Sequence, residues 1–230
     1  MTHKQFLMTL VRGVAILLAV YVPTFVLVSA FIMLRANSVD DGSASVGAAI
    51  PLVISISLVI AILLIATLGD RQFQSFGFMT IGTKALVMSI GIGLGFGLVL
   101  RYLSAILNVP QTEFPGLAFW QLIAFFWIAA PVQEEIIFRG LLQNTLQNGI
   151  PSLISIGSRK LSVAALISAI AFALVHFALL GIGATPGTIV FVIFGALALG
   201  VAAGQMRWIT GSLLPGIVMH SLINIIGSIS

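Results

Sequence analysis

The 230-residue chain is 60% hydrophobic and only 7% charged, with a mean hydropathy of +1.20, which excludes a soluble globular domain and implies an integral membrane protein. Its formal net charge of +4 comes from ten Lys or Arg against six acids, and the cations fall at the ends of apolar runs, so nucleic-acid binding is not implied. With no cysteine, the chain cannot form a disulfide, a thiolate metal site or a cysteine nucleophile, nor can it be prenylated itself.

Lys4 and Arg12 precede an apolar run from Gly13 to Leu34 that is too long for a signal-peptide core and has no A-x-A cleavage site. It is expected to persist as a first helix. Crossing a hydrocarbon core of about 30 Å takes roughly 20 helical residues. Runs of that order lie near 13–34, 48–69, 84–107, 117–147, 162–181, 187–206 and 212–229. They predict an all-α fold, a polytopic transmembrane bundle of about seven to eight helices. Breakers separate them at Asn37–Ser45, Asp70–Gly82, Asn108–Pro115, Gly149–Lys160, Gly181–Gly187 and Arg207–Gly211.

Short-loop cations set orientation. With the N-terminus inside, Lys4, Arg12, Arg71, Lys84, Arg159, Lys160 and Arg207 are cytoplasmic and only Arg35 and Arg101 are outside, which predicts a cytoplasmic N-terminus in the cell membrane. Asp40, Asp41 and Glu113 then face outward. The third run carries Gly91, Gly93, Gly95 and Gly97, but no spacing gives G-x-G-x-x-G, and Thr83 stands where a P-loop lysine would be. Gly91/Gly95, Gly93/Gly97 and Gly200/Gly204 are G-x-x-x-G pairs that predict close helix packing.

The fourth run contains the costliest stretch to place, Pro131-Val132-Gln133-Glu134-Glu135-Ile136-Ile137-Phe138-Arg139-Gly140. Each charge at mid-membrane costs roughly 2.5–3.5 kcal/mol, so three within six positions must be paired, hydrated or used in chemistry. At about 100° per residue, Glu135 and Arg139 share a helix face and Glu134 points away from Arg139. Glu135 is therefore expected to be held ionised by Arg139, leaving Glu134 free for another partner or a water. The alternative is a buried ion-pair cluster that only braces the bundle.

Two histidines are intramembrane, His176 and His220, and Asn224 lies one turn after His220 on the same face. Phe172 lies one turn before His176 and is expected to orient or cover its ring. Glutamate and histidine can jointly deprotonate water, while a second histidine and an asparagine can donate hydrogen bonds to a developing oxyanion. Those are the parts of a peptide-bond hydrolase. A set of Glu134, His176 and His220 could equally hold zinc. Neither H-E-x-x-H nor G-x-S-x-G occurs, so the common metalloprotease and serine-hydrolase patterns are missing.

On these residues the chain, over roughly 117–229, resembles the CAAX prenyl protease and bacteriocin-processing family, which includes the type II CAAX prenyl endopeptidases. Glu134-Glu135-Ile136-Ile137-Phe138-Arg139 is similar to its E-E-x-x-x-R, Phe172 with His176 to its F-x-x-x-H, and His220 with Asn224 to its H-x-x-x-N. The resemblance implies an intramembrane endopeptidase in which Glu134 and His176 activate water. It further implies that His220 and Asn224 form the oxyanion site and that Glu135, Arg139 and Phe172 support it. The implied substrate is a membrane-associated peptide or lipidated protein with a prenylated CAAX-type C-terminus, the other partner being membrane lipid, with no nucleic acid and no obligatory cofactor. Residues 111–230 would be the catalytic region, whereas 1–110 carry no recognised motif. Two readings stay open beside this one: a non-proteolytic interaction or bacteriocin self-immunity protein, and, with least support, a transporter.

Overall fold

The computed structural model describes residues 2–36, 43–68, 73–109, 118–150, 153–156 and 158–228. Asp40, Asp41, Asp70, Arg71 and Glu113, and the boundary between residues 110 and 111, lie outside them. Helices α1 (His3–Ala36), α2 (Ser43–Leu68) and α3 (Thr83–Ile106) come first, with a 3-10 turn at Phe73–Phe76 before α3. Helix α4 runs from Phe119 to Gly149. Two antiparallel strands, β1 (Leu153–Ile156) and β2 (Arg159–Ser162), follow it. Helix α5 (Val163–Val175) then continues as a 3-10 helix over His176–Ile182, and α6 (Pro186–Thr210) and α7 (Leu214–Ser228) complete the bundle.

Six of these helical segments are long and apolar enough to cross a membrane, and the chain is a multi-pass membrane protein. The seventh expected span is shorter than its apolar run. It forms a helix of 15 residues, because Gly211 adopts φ 71 and ends α6, and the Ser212 hydroxyl accepts the Leu214 N–H to begin α7. A second difference is the hairpin, which occupies what reads as a loop between Gly149 and Lys160. Gln205 of α6 braces it, donating to the Lys160 carbonyl at 2.8 Å and accepting from the Ser162 N–H at 3.3 Å. Backbone groups near a bilayer need such partners because lipid supplies none.

Helix α4 is the axis of the molecule. All eight residues of Ile136–Gln143 are buried, and Phe138, Leu141, Phe172, Leu199 and Met219 form the core around them. The glycines explain two of the closest approaches. A Cβ at Gly93 or Gly97 would press on the α7 backbone at 3.0 or 3.4 Å, and one at Gly200 or Gly204 would meet Ala169 or Ala165 of α5. Gly91 and Gly95 face nothing within 4 Å, so the expectation of close packing fails for that pair. Two residues of helix turn the face by about 200°, and only one face of α3 meets α7.

The corners fix which ends lie together. Arg207 donates to the Ser75 carbonyl at 3.0 Å, the Leu213 N–H donates to the Gly77 carbonyl at 2.9 Å, and Thr9 packs on Gly149. Lys4, Lys84, Lys160 and Arg207 therefore gather at one end of the bundle, and Arg101 lies towards the other.

Candidate active site

Glu134 and Glu135 end a short α-helical stretch, Ala130–Glu135, held between π-helical stretches at Leu122–Ala129 and Ile136–Gln143. Helical turns of this wider kind occur mostly as single-turn bulges inside α-helices and are frequent at functional sites. The sequence gives a local reason for the first. The Ala130 N–H reaches back five residues to the Phe125 carbonyl, so the Phe126 carbonyl would next take the N–H of residue 131. That residue is proline and has none. The Asn224 side chain donates to that carbonyl, Nδ2 to Phe126 O at 2.9 Å, and Trp127 Nε1 donates to Ser228 Oγ at 2.8 Å. The wide turn of α4 is thereby tied to the last turns of α7.

The two carboxylates have different surroundings. Glu135 Oε1 lies 3.0 Å from Arg139 Nη1, and both side chains are fully buried. The guanidinium stands over the Phe172 ring, 4.4 Å from its centroid, a cation–π contact that helps offset desolvation. Gly200 and Gly216 make room for the pair: a Cβ on Gly200 would come within 3.3 Å of Arg139 Nη2, and one on Gly216 would overlap the Glu135 carboxylate. Glu134, in contrast, keeps 25% of its side chain exposed. The helix-face argument for Glu135 and Arg139 thus describes the geometry, even though the backbone from Ile136 onward is π-helical.

His220 stands between the two acids, with Nε2 3.6 Å from Glu134 Oε2 and Nδ1 3.8 Å from Glu135 Oε1. These separations exceed hydrogen-bond length and are close polar contacts. His176 Nδ1 lies 2.9 Å from the Phe172 carbonyl. A carbonyl can only accept, so Nδ1 carries the proton and Nε2 presents a lone pair. Phe172 packs edge-to-face on both imidazoles, 5.1 Å from His176 and 5.7 Å from His220, and on Phe138 at 5.2 Å. One aromatic side chain therefore touches the arginine and both histidines.

A cavity of about 270 Å³ brings the candidates together: Glu134 from α4, Phe172 from α5, His176 at the start of the 3-10 helix, and His220 and Asn224 from α7 all line it. Glu135 and Arg139 lie behind that wall. The cavity therefore offers, on one surface, a partly exposed carboxylate, an imidazole with a free lone pair, and imidazole and amide hydrogen-bonding groups. Asn224 spends one amide hydrogen on Phe126 and keeps the other. Among the described residues no group of three His, Asp or Glu side chains is arranged to hold a metal ion, so Glu134, His176 and His220 do not form a preassembled ligand set.

Sequence reasoning passed over three polar groups. Gln143 is fully buried and donates to the Gly204 carbonyl at 2.9 Å, and Ser168 donates to the Phe138 carbonyl at 2.7 Å. Both bind backbone carbonyls, those of α6 and of the second wide turn of α4. Gln143 lies one turn after Arg139, and that spacing was the available signal. Arg101 lines the cavity and donates through Nη1 to the Ile226 carbonyl at 3.3 Å. Counting it as an outside loop charge concealed that position.

Residues 116–226 match the family model for the Type II CAAX prenyl endopeptidase Rce1-like family. No curated protein and no solved structure matches the chain. The matched region holds Glu134, Glu135, Arg139, Phe172, His176, His220 and Asn224 together. Over residues 116–226, just under half of its length, this membrane protein is thus similar to the Rce1-like type II CAAX prenyl endopeptidase family, a family of proteases.

Proposed function

We propose that the chain is an intramembrane endopeptidase that hydrolyses a peptide bond with water activated by Glu134 and His176. The observation that carries this reading is the cavity into which α4, α5 and α7 bring Glu134, His176, His220 and Asn224. Glu134 takes a proton from water, whose oxygen attacks the scissile carbonyl carbon, and His176 Nε2 holds that water by accepting its second hydrogen. His220 and the free amide hydrogen of Asn224 donate to the oxyanion that forms. The C–N bond then breaks as the proton held by Glu134 passes to the leaving amine, and the remaining hydroxyl proton of the new carboxyl group passes through His176 Nε2 to that amine, so the products part as a carboxylate and an ammonium. Glu135, Arg139 and Phe172 support the site by fixing α4 and both rings. No metal takes part in this scheme.

The substrate class that suits both the family and the bilayer is a membrane-associated peptide, including one with a prenylated C-terminus. The cationic end formed by Lys4, Lys84, Lys160 and Arg207 is placed in the cytoplasm of the cell that carries the protein. The test is purified protein in lipid, offered quenched peptides with and without a farnesylated C-terminal motif. Cleavage by the parent, lost in folded Glu134→Ala and His176→Ala, supports the assignment. Full activity in both variants refutes it, and labelling of the two ends of the chain in intact cells decides the orientation.

A further inference from the structure

The cavity has a polar feature that the chemistry above does not use. Arg101 is the only guanidinium or ammonium group lining it among the described residues, and it comes from α3, outside the region matched to the family. Its position is built. Gly93 and Gly97 let α3 close on α7, a Cβ on Gly97 clashing with the Ile226 side chain, and the next turn of α3 then delivers Arg101 to the Ile226 carbonyl. The simplest account is that Arg101 caps the C-terminal end of α7. That bond uses one of five N–H donors. The hydroxyls beside it already have partners: Thr188 meets Thr185 at 2.9 Å, Ser104 donates to the Arg101 carbonyl at 2.8 Å, and Ser228 donates to the Ile225 carbonyl at 2.9 Å. The arginine is thus the group with donors to spare, on an otherwise apolar wall formed by Leu100, Val109, Leu179, Phe191, Val192 and Ile223.

We infer that Arg101 binds the free C-terminal carboxylate of the substrate peptide and so sets how far from that end the bond is cut. The inference rests on the endopeptidase reading. A guanidinium matches a carboxylate with two parallel hydrogen bonds, and apolar surroundings strengthen the contact. The spacing follows from the helix. His220 and Ile226 are six residues apart on α7, about 9 Å at 1.5 Å per residue. An extended peptide advances about 3.3 Å per residue, so a carboxylate held beside Ile226 leaves two or three residues between itself and a carbonyl beside His220. Arg101 is on this account a positioning residue for a cut close to the chain end.

The test compares binding and cleavage of one short peptide made as the free acid and as the C-terminal amide, with a second amide bearing a glutamate side chain at its last position. Binding is read in lipid by competition with a fluorescent peptide, which does not depend on turnover. The parent is expected to favour the acid over both amides by about tenfold or more, mainly in KM. Folded Arg101→Gln should level the three peptides, and Arg101→Lys should restore part of the preference, because charge survives and the two-pronged geometry does not. An Arg101→Gln variant that keeps the preference overturns the inference, as does one that weakens acid and amide alike, the result for a helix cap. Glutamate-ended amide binding as well as the acid also overturns it. If folded Arg101→Gln levels the three peptides while the parent binds the acid preferentially but cuts nothing, the carboxylate contact at Arg101 stands and the endopeptidase reading falls.

Discussion

Removing Arg139 should be the most damaging single truncation in the site, and its size can be worked from the contacts. The substitution Arg139→Ala deletes a guanidinium 3.0 Å from Glu135 and 4.4 Å from the Phe172 centroid, and leaves the Glu135 carboxylate fully buried with the His220 imidazole, Nδ1 at 3.8 Å, beside it. Breaking a buried pair from one side costs about 3–5 kcal/mol, and the lost cation–π contact belongs to the same site, so the two are not added. For a domain of this size, 1 kcal/mol moves the melting temperature by about 2–4 °C, so a fall on the order of 10 °C is expected. The double variant Glu135→Gln with Arg139→Gln removes both charges together and should recover a good part of the loss. Melting curves in one lipid mixture for the parent, Glu135→Gln, Arg139→Gln and the double variant give the coupling directly. If Arg139→Ala melts within about 2 °C of the parent, the pair does not brace α4 and the argument from burial is wrong.

Glu134→Gln should melt close to the parent, since Glu134 is partly exposed and outside the arginine pair, yet lose turnover, because an amide cannot take a proton from water. The reverse pattern, with Glu135→Gln folded and inactive and Glu134→Gln active, would exchange the two roles. Gly216→Ala should lower both melting temperature and rate, since its Cβ would displace the Glu135 carboxylate, and an unaffected protein would show that α7 can yield there. Asn224→Ala should slow turnover about 100-fold or more if it removes an oxyanion donor, with a smaller stability loss of about 1 kcal/mol from the lost hydrogen bond to the Phe126 carbonyl. Exhaustive chelation should leave the rate unchanged, whereas loss with recovery on adding zinc would make Glu134, His176 and His220 a ligand set.

Much of this was readable because polar residues stand out against apolar sequence. Glu134, His176, His220 and Asn224 are conspicuous in runs of Leu, Ile, Val and Ala, and they do line one cavity. Hydropathy also marked the helices, since backbone groups in lipid must bond within their own segment. What it could not supply was contact between segments. Nothing local distinguishes Gly93 and Gly97, which meet α7, from Gly91 and Gly95, which meet nothing. Arg101 reads as a loop cation until α3 is seen against α7. The wide turns of α4 were hidden for a different reason: Pro131 signals a disturbed helix, but nothing near it in sequence shows that the distant Asn224 donates to the Phe126 carbonyl. The hairpin at Leu153–Ser162 depends likewise on Gln205, some forty residues away.

The start of α7 has a consequence for the water supply of the site. His220 lies six residues, about 9 Å, from Leu214, where that helix begins beside the corner at which Arg207 and Leu213 donate to the Ser75 and Gly77 carbonyls. A hydrocarbon core is about 30 Å thick, so with that corner at the membrane face the imidazole lies between that face and the midplane. Bulk water then reaches the cavity wall over a short path from the cationic end, and a lipid that thickens that leaflet lengthens it.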